Sequence, residues 1–129
     1  MQLAVWGPLT IDLRLVSYSR SRARSSPCSE VANALAREVR HSIAYIHMPA
    51  PSARSDDDYF RPLQQLALSP STEIFLGLVH ASDGAEGTRW RIEVARKYIK
   101  AFGIATECGM ARARTCHMID DLLRVYVGT

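Results

Sequence analysis

Glu73-Ile-Phe-Leu-Gly-Leu-Val79 ends on His80; Ala81-Ser-Asp-Gly-Ala-Glu-Gly87 follows, then Thr88 to Lys100, then Phe102-Gly-Ile-Ala-Thr106 with Glu107-Cys108-Gly109 behind it. The first and last of these segments are short apolar runs bounded by polar residues, the pattern of strands buried on both faces. The segment between them carries Ile92, Ala95 and Ile99 at helical spacing, with Arg89, Arg91, Glu93, Arg96 and Lys97 elsewhere around it. It reads as an amphipathic helix capped by Thr88. Strand, loop, helix and strand in this order predict a parallel pair joined by a helical crossover. His80 and Cys108 then follow the carboxyl ends of neighbouring strands, where parallel α/β folds place their chemistry.

Working outward, the same alternation continues. Ser29 precedes a helical pattern, Val31, Leu35 and Val39, which predicts a helix over 30–40. Ser42 to His47 reads as a strand closed by Met48-Pro49. Asp56 or Asp57 caps a short helix reaching Leu66, and Thr115 caps a last helix whose stripe is Met118, Leu122 and Val125, with Ile119 and Leu123 beside it. The fold class is therefore α/β, with three to four parallel strands and flanking helices. Ahead of this lies a different segment. Residues 17–26 are almost entirely Ser and Arg and have no apolar face to bury, so residues 1–28 are expected to be a divergent, basic and partly disordered segment. A short strand around 13–18 is compatible with it. Residues 29–129 form the expected domain.

The totals narrow the function classes. A chain of 129 residues holds one domain. A composition of 47% hydrophobic and 22% charged residues is that of a globular protein, and no apolar run approaches the roughly 20 residues of a membrane span. The N-terminus carries its basic residues after its apolar ones, unlike a secretory signal, so a cytoplasmic chain with reduced thiols is expected. Cys28, Cys108 and Cys116 make no C-x-x-C pair, which leaves metal ligation or plain buried thiols. The net charge of +3 is mild, and no aromatic platform accompanies the Ser/Arg run, so nucleic acid is not the expected partner.

Several residue types can carry chemistry. His80, before a Ser82-Asp83-Gly84 turn, suits a general acid whose tautomer a neighbouring Asp could fix. Cys108 lies near Arg112 and Arg114, neighbours that favour a thiolate. His47 is an imidazole at a strand end. Gly84-x-x-Gly87 before a helix has the outline of an anion cradle, without the further glycines and lysine of a phosphate loop.

Five stretches together resemble the carboxyl-terminal end of the barrel in the cobalamin-independent methionine synthase-like family: Glu30-Val-Ala-Asn-Ala-Leu35, Ile46-His-Met-Pro49, Asp56-Asp-Asp-Tyr-Phe60, Gly77 to Thr88, and Phe102 to Met110. The resemblance spans residues 30–129 and implies a partial (β/α) TIM barrel. It implies methyl transfer from methyltetrahydrofolate to homocysteine or another thiol held as thiolate on zinc. Cys108 falls on the family's last zinc ligand, and His47 at or beside the position of its zinc-binding Glu. His80 falls on the proton-donating histidine. Asp83 and Glu107, on the same rim, are the expected substrate-contacting carboxylates. The family's His-x-Cys zinc pair should precede Glu30, yet no histidine precedes His41. The expectation is a truncated member with impaired catalysis. The alternative is an interaction module, dimeric or docked through open sheet edges.

Overall fold

The computed structural model describes residues 9–12, 26–107 and 114–129. In chain order they form β1 (Leu9–Asp12), α1 (Ser26–Glu38), β2 (Ile43–Pro49), α2 (Asp57–Phe60) running into a 3₁₀ turn (Arg61–Gln65), β3 (Glu73–Val79), α3 (Gly84–Arg96), β4 (Gly103–Thr106) and α4 (Cys116–Val127). The four strands make one parallel sheet in the order β1-β2-β3-β4. Each strand thus pairs with its predecessor in sequence, and the order never reverses as it does in doubly wound sheets.

Alternation along β2 and β3 separates two sheet faces. Ile46, Met48, Ile74, Leu76 and Leu78 lie on the first. They share one apolar cluster with Cys28 and Ala32 of α1, Tyr59, Phe60 and Leu63 around α2, and Val94 and Ala95 of α3. All three helical connections therefore bury their apolar sides against the same face. Fully burying one such side chain is worth about 1.5–3 kcal/mol, so this layer dominates the stability. The second face carries Tyr45, His47, Phe75, Gly77 and Val79. Val79 and Leu122 of α4 are fully buried without belonging to the first cluster.

The expected elements are present with shifted ends. β3 spans Glu73–Val79 as read, and Thr115 caps α4 by accepting from the Met118 N–H. Asp56 caps α2 by accepting from the Tyr59 N–H. α1 starts at Ser26, ahead of the expected Glu30, and Ser29 is buried inside it. Pro27 is compatible with a first turn, where its missing N–H has no helical partner to satisfy. β1 lies inside the segment read as divergent, while the strand considered over 13–18 and the Ser/Arg run up to Arg24 fall outside the described residues.

α3 corrects the reading most. It begins at Gly84, so the turn read over 84–87 is its first helical turn. Thr88 is not the cap; its hydroxyl donates to the Gly84 carbonyl within the helix at 2.9 Å. Gly84 has φ +62°, a left-handed conformation that glycine adopts without a Cβ clash. The buried face is Thr88, Arg91, Val94 and Ala95, so Arg91, read as part of the solvated surface, points inward.

Candidate functional site at the carboxyl ends of the strands

The rim beyond β2, β3 and β4 gathers the titratable groups. His80 follows β3 and is only 6% exposed. Its Nε2 lies 2.7 Å from the Ala50 carbonyl oxygen, beyond the end of β2. A carbonyl only accepts, so Nε2 carries a proton and the other ring nitrogen faces the rim. That nitrogen, Nδ1, stands 3.6 Å from Oε2 of Glu107, the residue after β4. The backbone holds this meeting in place, since the Glu107 N–H donates to the Val79 carbonyl at 3.2 Å. Protonating Nδ1 turns the contact into an ion pair. The other Glu107 oxygen, Oε1, accepts from Nη2 of Arg114. Nη1 of Arg114 is buried and has no hydrogen-bond partner among the described residues.

Asp83 does not fix the His80 tautomer. Its carboxylate takes a two-pronged contact from Arg91, Nη1 to Oδ2 at 2.5 Å and Nη2 to Oδ1 at 3.0 Å. Arg91 is 1% exposed, and it also donates from Nε to the Leu78 carbonyl and from Nη1 to the Ser52 carbonyl. One guanidinium thus ties together the end of β3, the loop after β2 and the loop before α3. The Arg91 hydrogen bonds hold the Asp83 carboxyl below the usual carboxylate range, against the opposing effect of partial burial. The Gly84-x-x-Gly87 outline has the same explanation. A Cβ on Gly87 would overlap the Asp83 carboxylate, so the helix start is occupied by the chain's own anion.

Above His80 lies a pocket of about 420 Å³, whose lining includes Ser52, Ser82, Glu107, Arg114, Asp121 and Leu122. Its size falls in the range of small-molecule sites. Its walls offer donors on Arg114 and acceptors on Glu107 and Asp121.

The expected residues divide as follows. His80 and Glu107 come together. Asp83 is adjacent but committed to Arg91. Cys108 lies outside the described residues. His47 belongs elsewhere: it sits within β2, two residues before its end, and lines a larger pocket of about 590 Å³ against the second sheet face, with Tyr45, Phe75 and Tyr126. Its Nε2 lies 3.0 Å from where a Cβ on Gly77 would stand, so the glycine makes room for the ring. His47 and His80 line different pockets. Among the described residues no three His, Cys, Asp or Glu side chains converge as a metal would require. Of the two expected zinc ligands only His47 is among the described residues, where a catalytic zinc uses three, so the described residues do not assemble a zinc centre. Cys28 is a core thiol whose pKa burial pushes up, and Cys116 is exposed.

Sequence reasoning missed the burial of Arg91, and it read Arg114 as a neighbour of Cys108 instead of a partner of Glu107. For Arg91 a signal existed: Thr88, Arg91 and Ala95 recur at i, i+3 and i+7, a face of small residues with room for a buried guanidinium. For the pairing of Arg114 with Glu107 there was no signal, since its closeness in sequence pointed equally to Cys108. No protein-family model, no curated protein and no solved structure matches the chain.

Proposed function

We propose that the chain is a segment of a (β/α) barrel of the cobalamin-independent methionine synthase-like kind, carrying the proton-handling part of a methyl-transfer site. The observation that supports this most is the His80 ring held between the Ala50 carbonyl and the Glu107 carboxylate at the strand ends. The strand order supports it too. Four sequential parallel strands with their connecting helices on one face are what half of a singly wound eight-stranded barrel would present.

In this reading an amino-acid-like acceptor such as homocysteine enters the rim pocket. Its carboxylate meets the buried Nη1 of Arg114, and its ammonium lies toward Asp121. The acceptor sulfur takes the methyl group from the donor nitrogen of methyltetrahydrofolate as that carbon–nitrogen bond breaks. The nitrogen collects a proton from Nδ1 of the doubly protonated His80, the ring nitrogen not engaged by the backbone. The proton that the acceptor thiol sheds as its sulfur is methylated recharges the imidazole, so no proton is gained or lost overall. Zinc would supply a thiolate at neutral pH in the family, but the described residues do not assemble its ligands. The chain alone is accordingly impaired in methyl transfer.

Calorimetric titration with homocysteine tests the pocket. Arg114→Ala is expected to weaken binding about tenfold or more, the loss of one charge-assisted contact. Absence of homocysteine binding, or equal binding by Arg114→Ala, would overturn the assignment. Metal analysis of the purified chain tests the other half: less than one zinc per chain is expected, and stoichiometric zinc lost on Cys108→Ala would establish a live metal centre instead.

A further inference from the structure

α4 is an unusual helix for the end of an α/β layer. Twelve residues long, it fully buries only Leu122. Met118, Leu123, Tyr126 and Val127 are 48%, 44%, 40% and 84% exposed. Of the six large apolar side chains exposed among the described residues, these four lie on α4, and Tyr45 lies on the second sheet face. Tyr45 and Phe75 join Leu123 and Tyr126 around the larger pocket, so sheet face and helix form one continuous apolar surface. A surface of this kind marks an interaction site on a globular chain.

Charge identifies the occupant. Along α4 the acids come first and the base follows: Asp120 and Asp121, then Arg124, which stands at 3.6 Å from Asp121 with its side chain still largely exposed. Asp120 and Arg124 flank Leu123 and Val127 on the outer side of the helix. Antiparallel pairing of two such helices, crossing at the exposed Leu123, sets Asp120 of each copy within reach of Arg124 of the other. Every residue of a two-fold interface occurs twice, so one polar arrangement supplies two ion pairs around an apolar centre. We infer that α4 and the open sheet face form an isologous homodimer interface, with Leu123 at its centre and the Asp120–Arg124 pairs setting its register.

Sedimentation velocity and light scattering on the full chain test this. The expected mass is twice the 14.4 kDa of one chain. Leu123→Asp is expected to give a monomer with an unchanged circular dichroism spectrum. Asp120→Arg and Arg124→Asp are each expected to weaken the dimer about tenfold, since each places like charges together twice. The double exchange Asp120→Arg with Arg124→Asp restores it. A wild-type monomer across the accessible concentration range overturns the inference and leaves the face to a different partner. So does a double exchange no tighter than the single variants, which also keeps the test decisive should Leu123→Asp fail to fold.

Discussion

Two side chains with adjacent roles at the rim are held in opposite ways. His80 is gripped by one backbone oxygen and faces a carboxylate across 3.6 Å, which leaves one nitrogen able to exchange a proton. Arg91 is gripped on all sides and its charge is spent inside the protein. Removing its partner leaves a buried cation uncompensated. Asp83→Asn is expected to cost about 2–3 kcal/mol in urea unfolding at pH 7, less than the roughly 3–5 of a wholly enclosed pair, because the Asp83 side chain is 35% exposed. Asp83 has a folded pKa below its unfolded value of about 3.9. Its contribution is therefore complete above that value and disappears as pH falls through the folded pKa. The gap between wild type and Asp83→Asn should narrow on acidification below about pH 4, and a constant gap would argue against the pair. Gly87→Ala should destabilise through the same pair, since its methyl group displaces the Asp83 carboxylate. At this scale His80 and Glu107 were legible as strand-end residues. The Arg91 network was not, because a charged residue inside a helical pattern reads as solvated until the partners that neutralise it are known.

The elements differ in how firmly they are held. α1, α2 and α3 share the first-face cluster, whereas α4 is held to the sheet and α3 by the buried Leu122, the Tyr126 hydroxyl donating to the Ile104 carbonyl and Arg89 donating to the Gly128 carbonyl. Leu122→Ala is expected to cost about 2–5 kcal/mol and to release α4 before the sheet melts, seen as early loss of protection in hydrogen exchange over residues 116–127. Thr115→Ala should cost about 1 kcal/mol by orphaning the Met118 N–H. Helix starts marked by a side-chain oxygen with a free backbone partner were readable from sequence, as Asp56 and Thr115 show. The start of α3 was not. Its cap residue Asp83 makes no capping bond because Arg91 has taken the carboxylate, so the local rule pointed to Thr88 instead.

Across the whole molecule, protection should follow strand position. Among the described residues β2 and β3 have neighbours on both sides, while the four-residue β1 and β4 stand at the edges. Amides of β2 and β3 are expected to exchange slowest and those of β4 measurably faster, and equal protection in all strands would point to edges paired with another strand. No helix among the described residues is long and apolar enough to cross a membrane. By itself the sequence determined the alternation of strands and helices, the parallel sheet it implies and the arrival of His80 and Glu107 at strand ends, because hydrophobic period and chain direction are local properties. Tertiary structure alone decided that His47 opens onto the other face of the sheet, that Asp83 serves Arg91 instead of His80, and that α4 buries Leu122 while leaving Met118, Leu123, Tyr126 and Val127 exposed. Those outcomes depend on which distant groups meet across the sheet, and no spacing along the chain encodes that.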